Sequence, residues 1–257
     1  EAFWAEQAKQ FISFETPYQK IYQGDLAKGD NQWFVGGKLN VSYNCIDRHL
    51  GDKAQQTAII FEGDEPGNSQ HISYQQLHDH VCQLANALKQ MGVKKGDRVC
   101  LYMPMVLEAT YAMLACARLG AIHSVVFGGF SPEALASRIQ DTDCSVLITA
   151  DEGVRGGKTV PLKANADAAL AQCPNVKHCL VVARTNAEVA MQAGRDVYYH
   201  EAIKGQASTC EPTWVDSEDP LFILYTSGST GKPKGVVHHS AGYLLHAAMS
   251  HHYAFNY

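Results

Sequence analysis

Short apolar runs alternate along this chain with longer stretches in which apolar residues return every three or four positions. Thr57-Ala58-Ile59-Ile60-Phe61 has the length and β-branched character of a strand. Ser73-Tyr74-Gln75-Gln76 then has the form of a capping box, with Ser73 as N-cap and Gln76 reaching back. Leu77, Val81, Leu84, Ala85 and Leu88 follow on one helical face, and Gly92 supplies a stop, so a helix is predicted to about Met91. Arg98 to Met103 reads as a strand. Val106 to Leu119 is apolar nearly all round, which predicts a buried helix ending at Gly120. Ala121 to Phe127 is a strand, and Ser131-Pro132-Glu133 opens another helix with proline in its first turn. A strand at Ser145–Ala150, a helix from roughly Pro161 to Ala171, and strands at Val176–Ala183 and Phe222–Tyr225 complete the pattern. Arg184 to Asp219 is weakly patterned and reads as an excursion before the sheet resumes. Strand–helix–strand repetition predicts an α/β fold with a largely parallel sheet covered by helices on both faces. Ligands in such sheets bind beyond the carboxyl ends of the strands. Three glycine-rich segments fall there: Gly128-Gly129, Arg155-Gly156-Gly157-Lys158 and Thr226–Gly235.

Composition narrows the classes. The chain has 257 residues, 46% hydrophobic and 18% charged, with a net charge of −5. That gives no bulk electrostatic case for a nucleic-acid partner. The first residues, Glu1-Ala2-Phe3-Trp4-Ala5-Glu6, lack the basic start and apolar core of a secretory signal. The longest apolar window, Leu101 to Phe127, is interrupted by Glu108, Arg118 and His123, so no membrane span is expected. The expected location is cytoplasmic. Eight cysteines occur without any Cys-x-x-Cys, several inside apolar runs, and read as reduced buried thiols. The twelve histidines include two adjacent pairs, His238-His239 and His251-His252, but no ligand set, and read as structural or exposed.

The densest chemistry lies at Tyr225-Thr226-Ser227-Gly228-Ser229-Thr230-Gly231-Lys232-Pro233-Lys234-Gly235, directly after the apolar run Leu221-Phe222-Ile223-Leu224. Glycines let consecutive N–H groups line a concave anion nest, hydroxyls add donors, and lysines add charge on long stems. This is the composition of a polyphosphate-binding loop and not of a linker. It is not a Walker loop, because Pro233 follows Gly231-Lys232 and Thr226 stands where that pattern needs its first glycine. Proline also disfavours a helical Lys232, so the loop is not expected to open straight into a helix. Arg155-Gly156-Gly157-Lys158 reads, on its residues alone, as a basic turn that either is simply solvated or receives a phosphate.

The Thr226–Gly235 segment resembles the phosphate loop of the adenylate-forming enzymes. Tyr102-Met103-Pro104-Met105, Ala112 to Ala121, Val126-Phe127-Gly128-Gly129-Phe130-Ser131-Pro132-Glu133, Asp151 to Lys158, Glu218 to Tyr225 and Asn44 to Leu50 are similar to the acetyl-CoA synthetase branch. The resemblance covers essentially the whole chain. It implies part of the large N-terminal domain of the adenylate-forming fold, with an N-terminal extension over about residues 1–55 and an α/β subdomain over 56–257. It implies ATP, acetate and CoA as substrates, with Mg²⁺. It assigns Thr226, Ser227, Gly228, Ser229, Thr230, Gly231, Lys232 and Lys234 to ATP and pyrophosphate, and Arg155, Gly156, Gly157 and Lys158 to CoA. The resemblance offers Gly129 as a contact for the pantetheine arm, and a helix-capping turn explains Gly128-Gly129 equally well. Some relatives carry Arg where Lys158 stands. In that family the acetate pocket, adenine contacts and adenylation lysine lie in segments later than Tyr257. No catalytic residue or metal ligand is therefore assigned here, and the chain is expected to be the N-terminal piece of a longer ligase. A propionate or other short-chain ligase and a non-catalytic nucleotide- or CoA-binding unit are the alternatives.

Overall fold

A computed structural model describes residues 1–64, 67–227 and 233–256. Helix α1 (Ala2–Phe11) leads into an antiparallel hairpin of β1 (Lys20–Asp25) and β2 (Asp30–Val35), then the short β3 (Lys38–Leu39). Asn40 caps α2 (Val41–Cys45), its Oδ1 accepting from the Tyr43 amide at 3.1 Å. The Asn40 amide is fully buried and donates 2.8 Å bonds to the Ala117 and Thr213 carbonyls, which anchors this start to distant chain. A 3₁₀ turn at Asp47–His49 and α3 (Leu50–Lys53) follow. The run at Thr57 does form a strand, β4 (Thr57–Glu62), but it pairs only with β5 (Ser69–Ser73) in a separate antiparallel ribbon. Helix α4 (Tyr74–Gln90) begins at the expected capping box: Ser73 Oγ accepts from the Gln76 amide at 3.2 Å and Gln76 Oε1 from the Ser73 amide at 2.9 Å.

From here the α/β pattern runs as the periodicity predicts. β6 (Arg98–Met103) is followed by α5 (Leu107–Leu119), β7 (Ile122–Phe127), α6 (Pro132–Thr142) and β8 (Val146–Ala150). Gly120 ends α5 at φ +67°, where a side chain would also strike Val215. A small hairpin of β9 (Gly153–Arg155) and β10 (Lys158–Val160) precedes α7 (Leu162–Leu170) and β11 (His178–Val182). The weakly patterned excursion contributes more than expected. Its β12 (Asp196–Tyr198) joins the sheet parallel to β11 and leads into α8 (Tyr199–Ile203), and β13 (Val215–Asp216) pairs with β3. Periodicity could not find β12, because its three residues are half-buried and held by charge. Asp196 is fully enclosed between Lys163 (2.9 Å) and Arg195 (2.5 Å). β14 (Pro220–Thr226), β15 (Lys234–His239) and α9 (Ser240–Phe255) complete the chain.

The main sheet has the order β12-β11-β8-β6-β7-β14-β15, parallel except for the antiparallel β15. Strand order reverses at β6, since β7 lies on one side of it and β8 on the other. α4 packs with α5 and α8, and α6 packs with α7, so opposite faces are covered as the right-handed crossover rule requires. Near the β15 edge the cover is thinner. Val125, Leu224 and Val236 fall in one row across β7, β14 and β15 and are 37%, 40% and 41% exposed.

Candidate functional site

All three glycine-rich segments leave the sheet at its carboxyl edge, on β7, β8 and β14, beside the reversal at β6. Arg155-Gly156-Gly157-Lys158 is a two-residue hairpin turn. Gly156 and Gly157 have φ of +56° and +74°, the left-handed pair that a type I′ turn requires, and Lys158 pairs directly with Arg155. A Cβ on either glycine would meet nothing within 4 Å, so the backbone angle and not crowding selects glycine here. Two exposed cations therefore sit opposite one another on one face of the hairpin, an arrangement that like-charge repulsion disfavours. Below the turn, Asp151 is 1% exposed and accepts from the amides of Glu152 (2.6 Å), Arg184 (2.9 Å) and Ala187 (3.2 Å), which pins the hairpin base to the segment after β11.

The hairpin and the β7 loop meet over Leu162. A Cβ on Gly128 or Gly153 would lie 3.3–3.4 Å from this side chain, and on Gly129 it would strike the Phe127 ring at 2.5 Å. The absence of those side chains lets the segments close up. The Arg155 guanidinium then lies 4.9 Å over the half-exposed Phe127 ring.

The phosphate-type loop is slung between two antiparallel strands. Thr226 pairs with Lys234 at its mouth, and Tyr225 with Gly235 one step in. Thr226, Ser227 and Lys234 are exposed. Gly228, Ser229, Thr230, Gly231 and Lys232 lie outside the described residues. Lys234 opens a strand and not a helix, as Pro233 led one to expect. Tyr225 is held firmly: its hydroxyl donates to Asp141 Oδ2 at 2.5 Å, and Arg138 lies 5.1 Å over its ring. Burial, then the Asp141 carboxylate, pushes its hydroxyl pKa well above the ordinary phenol value. A Cβ on Gly235, its pairing partner, would come 3.2 Å from the Ile223 side chain and 3.4 Å from the Tyr225 ring.

Tyr225 belongs to the motif itself, but its supports and those of the hairpin, Phe127, Phe130, Arg138 and Asp141, are not marked as such in the sequence. One support did leave a signal. Arg138 falls on the same helical face as Leu135, Ile139 and Thr142, all buried in α6. Two histidines behave oppositely. Burial pulls His123 down to about 4, so it is neutral, whereas Asp47 and Cys82 raise His78 to about 10. Among the described residues, no three His, Cys, Asp or Glu side chains cluster to hold a metal ion, and no helix is long and apolar enough to cross a membrane.

The family model described as AMP-binding enzyme matches residues 46–257. The chain belongs to this family. Residues 1–45 match a second model, described as acetyl-coenzyme A synthetase N-terminus. Over all 257 residues the chain is 61% identical to acetyl-coenzyme A synthetase of Alkalilimnicola ehrlichii and 62% identical to that of Saccharophagus degradans. It spans 40% of the length of each of these curated relatives. Among solved structures, acetoacetyl-CoA synthetase from Streptomyces lividans superposes with a TM-score of 0.91 at 26% identity, over 99% of this chain and 38% of that one. The seven-stranded sheet with its hairpin-slung loop is thus the architecture of an AMP-binding enzyme.

Proposed function

We propose that this chain is the N-terminal part of an AMP-forming acetate–CoA ligase, and that its carboxyl edge handles the ATP and CoA of that reaction. An acetate oxygen attacks the α-phosphorus of ATP, the bond to the β-phosphate breaks, and pyrophosphate leaves with its electron pair. The CoA thiolate then attacks the acyl carbon and AMP departs. In the first step negative charge grows on the β- and γ-phosphates. The hydroxyls of Thr226, Ser227, Ser229 and Thr230, the N–H groups of Gly228 and Gly231, and the ammoniums of Lys232 and Lys234 are the groups suited to meet it. Mg²⁺ enters as the counterion of ATP, part of the substrate; the described residues offer no carboxylate cage for it, and no step is routed through it.

The second step needs CoA held by its nucleotide end. Arg155 and Lys158, opposed across a glycine turn, are suited to fork onto a phosphate group, and an anion between them relieves their mutual repulsion. The single observation that carries the reading is that these two cationic devices share one sheet edge in a chain 61–62% identical, along its whole length, to acetyl-coenzyme A synthetases. Acetate as the acid rests on those relatives. A cytoplasmic setting is supported by eight free thiols, which persist where glutathione keeps cysteines reduced.

The test uses the full-length ligase carrying this sequence. Acetate-dependent exchange of pyrophosphate into ATP should proceed without CoA, and acetate should support it better than propionate or butyrate. Exchange that requires CoA, or that runs equally without acid, would remove the two-step reading. A higher kcat/KM for propionate would reassign the acid alone.

A further inference from the structure

Arg138 carries a charge in a place where a charge is expensive. It is 7% exposed, on the α6 face that also buries Leu135 and Ile139. Its one hydrogen bond among the described residues runs from Nη1 to the Ala134 carbonyl at 2.7 Å, one turn back in its own helix. What surrounds the guanidinium is aromatic. Phe130 lies 4.6 Å away and Tyr225 5.1 Å away, so the flat cation bridges a ring from the β7 loop and a ring from β14. Each end of this bridge is fixed. The Phe130 carbonyl accepts a 2.7 Å bond from the Tyr102 hydroxyl, which also receives Asn165 Nδ2 at 3.3 Å. The Tyr225 hydroxyl is tied at 2.5 Å to Asp141, three residues beyond Arg138 on the same helix.

The consequence lies one residue further along the chain. Tyr225 immediately precedes Thr226 and Ser227, where β14 gives way to the phosphate-type loop. Its ring lies beside Gly235, its pairing partner on β15. β14 is therefore tied to α6 at the last residue before Thr226 and Ser227. We propose that Arg138 is a positioning residue for ATP activation, holding Tyr225 by its ring face while Asp141 holds it by the hydroxyl. This rests on the reading of Thr226–Lys234 as the loop that meets the β- and γ-phosphates. Arginine suits the role because its planar guanidinium stacks on rings, whereas a lysine ammonium is a compact, strongly hydrated point charge.

The experiment uses the full-length ligase with Arg138→Lys, Tyr225→Leu, the double variant, Tyr225→Phe and, as a control, Lys234→Ala. Three quantities are read: kcat and KM for ATP in acetate-dependent pyrophosphate exchange, single-turnover transfer from supplied acetyl-AMP to CoA, and the thermal midpoint. Misplacing the loop should lower exchange kcat about 10- to 100-fold in Arg138→Lys and Tyr225→Leu. KM for ATP should move far less, and transfer from acetyl-AMP should be kept. The double variant should be no slower than the worse single, since both remove one contact. Tyr225→Phe keeps the ring and loses only the Asp141 bond, so its exchange should slow by a smaller factor. Normal exchange in Arg138→Lys overturns the proposal, as does loss of both half-reactions in step with the thermal midpoint. Should Arg138→Lys fail to fold, normal exchange in Tyr225→Leu, which removes the ring that Arg138 holds, overturns it instead. Normal exchange in Lys234→Ala removes the loop reading and this proposal with it. A slow Lys234→Ala beside a normal Arg138→Lys strikes the proposal alone.

Discussion

Gly156 and Gly157 hold two consecutive positive φ angles, which leave few other residues as candidates. The turn they make sets Arg155 against Lys158 in direct cross-strand register. If this fork receives the nucleotide end of CoA, Arg155→Ala or Lys158→Ala should raise KM for CoA in the full ligase about 10- to 100-fold, with solvent screening favouring the lower figure. Pyrophosphate exchange, which involves no CoA, should stay near normal. Exchange that collapses while the CoA dependence is unchanged would place the fork elsewhere in the reaction. The turn of this motif was legible because its residues are unusual in type and contiguous, whereas a ligand for it came only with the family resemblance. The supporting residues were less legible. Phe127 and Phe130 look like ordinary apolar residues until the β7 loop folds onto Arg155 and Arg138. Only Arg138, a cation on an apolar helical face, could have been singled out from the sequence.

At the scale of elements, legibility followed period and capping. The β6–α5–β7–α6–β8 run was readable because each helix has a stop or cap written in single residues: Gly120, Ser131, Pro132. The β1–β2 hairpin and β12 were not readable, being mostly polar and short. Polar ties join elements that periodicity leaves unconnected. Asp47 receives a bidentate pair from Arg118 of α5 at 2.8 Å, and His78 of α4 lies 3.6 Å from it. Arg118 also donates to the Cys210 carbonyl. Burial alone would raise Asp47, but Arg118 and His78 outweigh it and hold the carboxyl at about 2. Asp47 first, then Cys82, raises His78 from 6.5 to about 10, with Asp79 also 3.5 Å away. A raised histidine stabilises the fold fully below its unfolded pKa of about 6.5, and that contribution fades as pH climbs toward 10. The Asp47 contribution has the opposite sense: present above about 3.8 and lost as pH falls toward 2. His78→Gln should therefore cost about 1.5–3 kcal/mol near pH 6, the range for hydrogen bonds to charged groups, and clearly less near pH 10. Urea unfolding of the two proteins at both pH values checks this; a cost that is constant or grows with pH would show that His78 is not held protonated.

Among the described residues the core of the molecule falls into three clusters: a large one, a small one at the start of the chain, and a minor one of Ala117, Leu221 and Phe222. The large one gathers the sheet from β11 to β7 with α4 to α7, and includes Leu84, Leu101, Leu147 and Leu180. The small one joins the first forty residues to α9 through Ala8, Ile12, Phe34, Leu39, Ala241 and Leu245. Glu218 stitches the same region, accepting from the Trp33 amide and facing His239 of β15, each at 2.5 Å. Tyr253 of α9 reaches back to Gln7 at 2.9 Å. β15, the far wall of the loop hairpin, thus depends on a segment more than two hundred residues earlier in the chain. No local pattern announces such a dependence. It predicts that the small core opens as its own unit, with a lower opening free energy than the sheet. Leu245→Ala removes a side chain that is 2% exposed and should cost about 2–5 kcal/mol locally. In native-state hydrogen exchange on the full ligase, protection should fall in α1, β2, β15 and α9 and stay unchanged in β6 and β8. On the proposed reading of the loop, adenylation should slow with it, because the hairpin loses one wall, while transfer from acetyl-AMP should be less affected. A uniform loss of protection across β6, β8 and α9 would instead show one cooperative core, with the first forty residues as much a part of the sheet domain as α5.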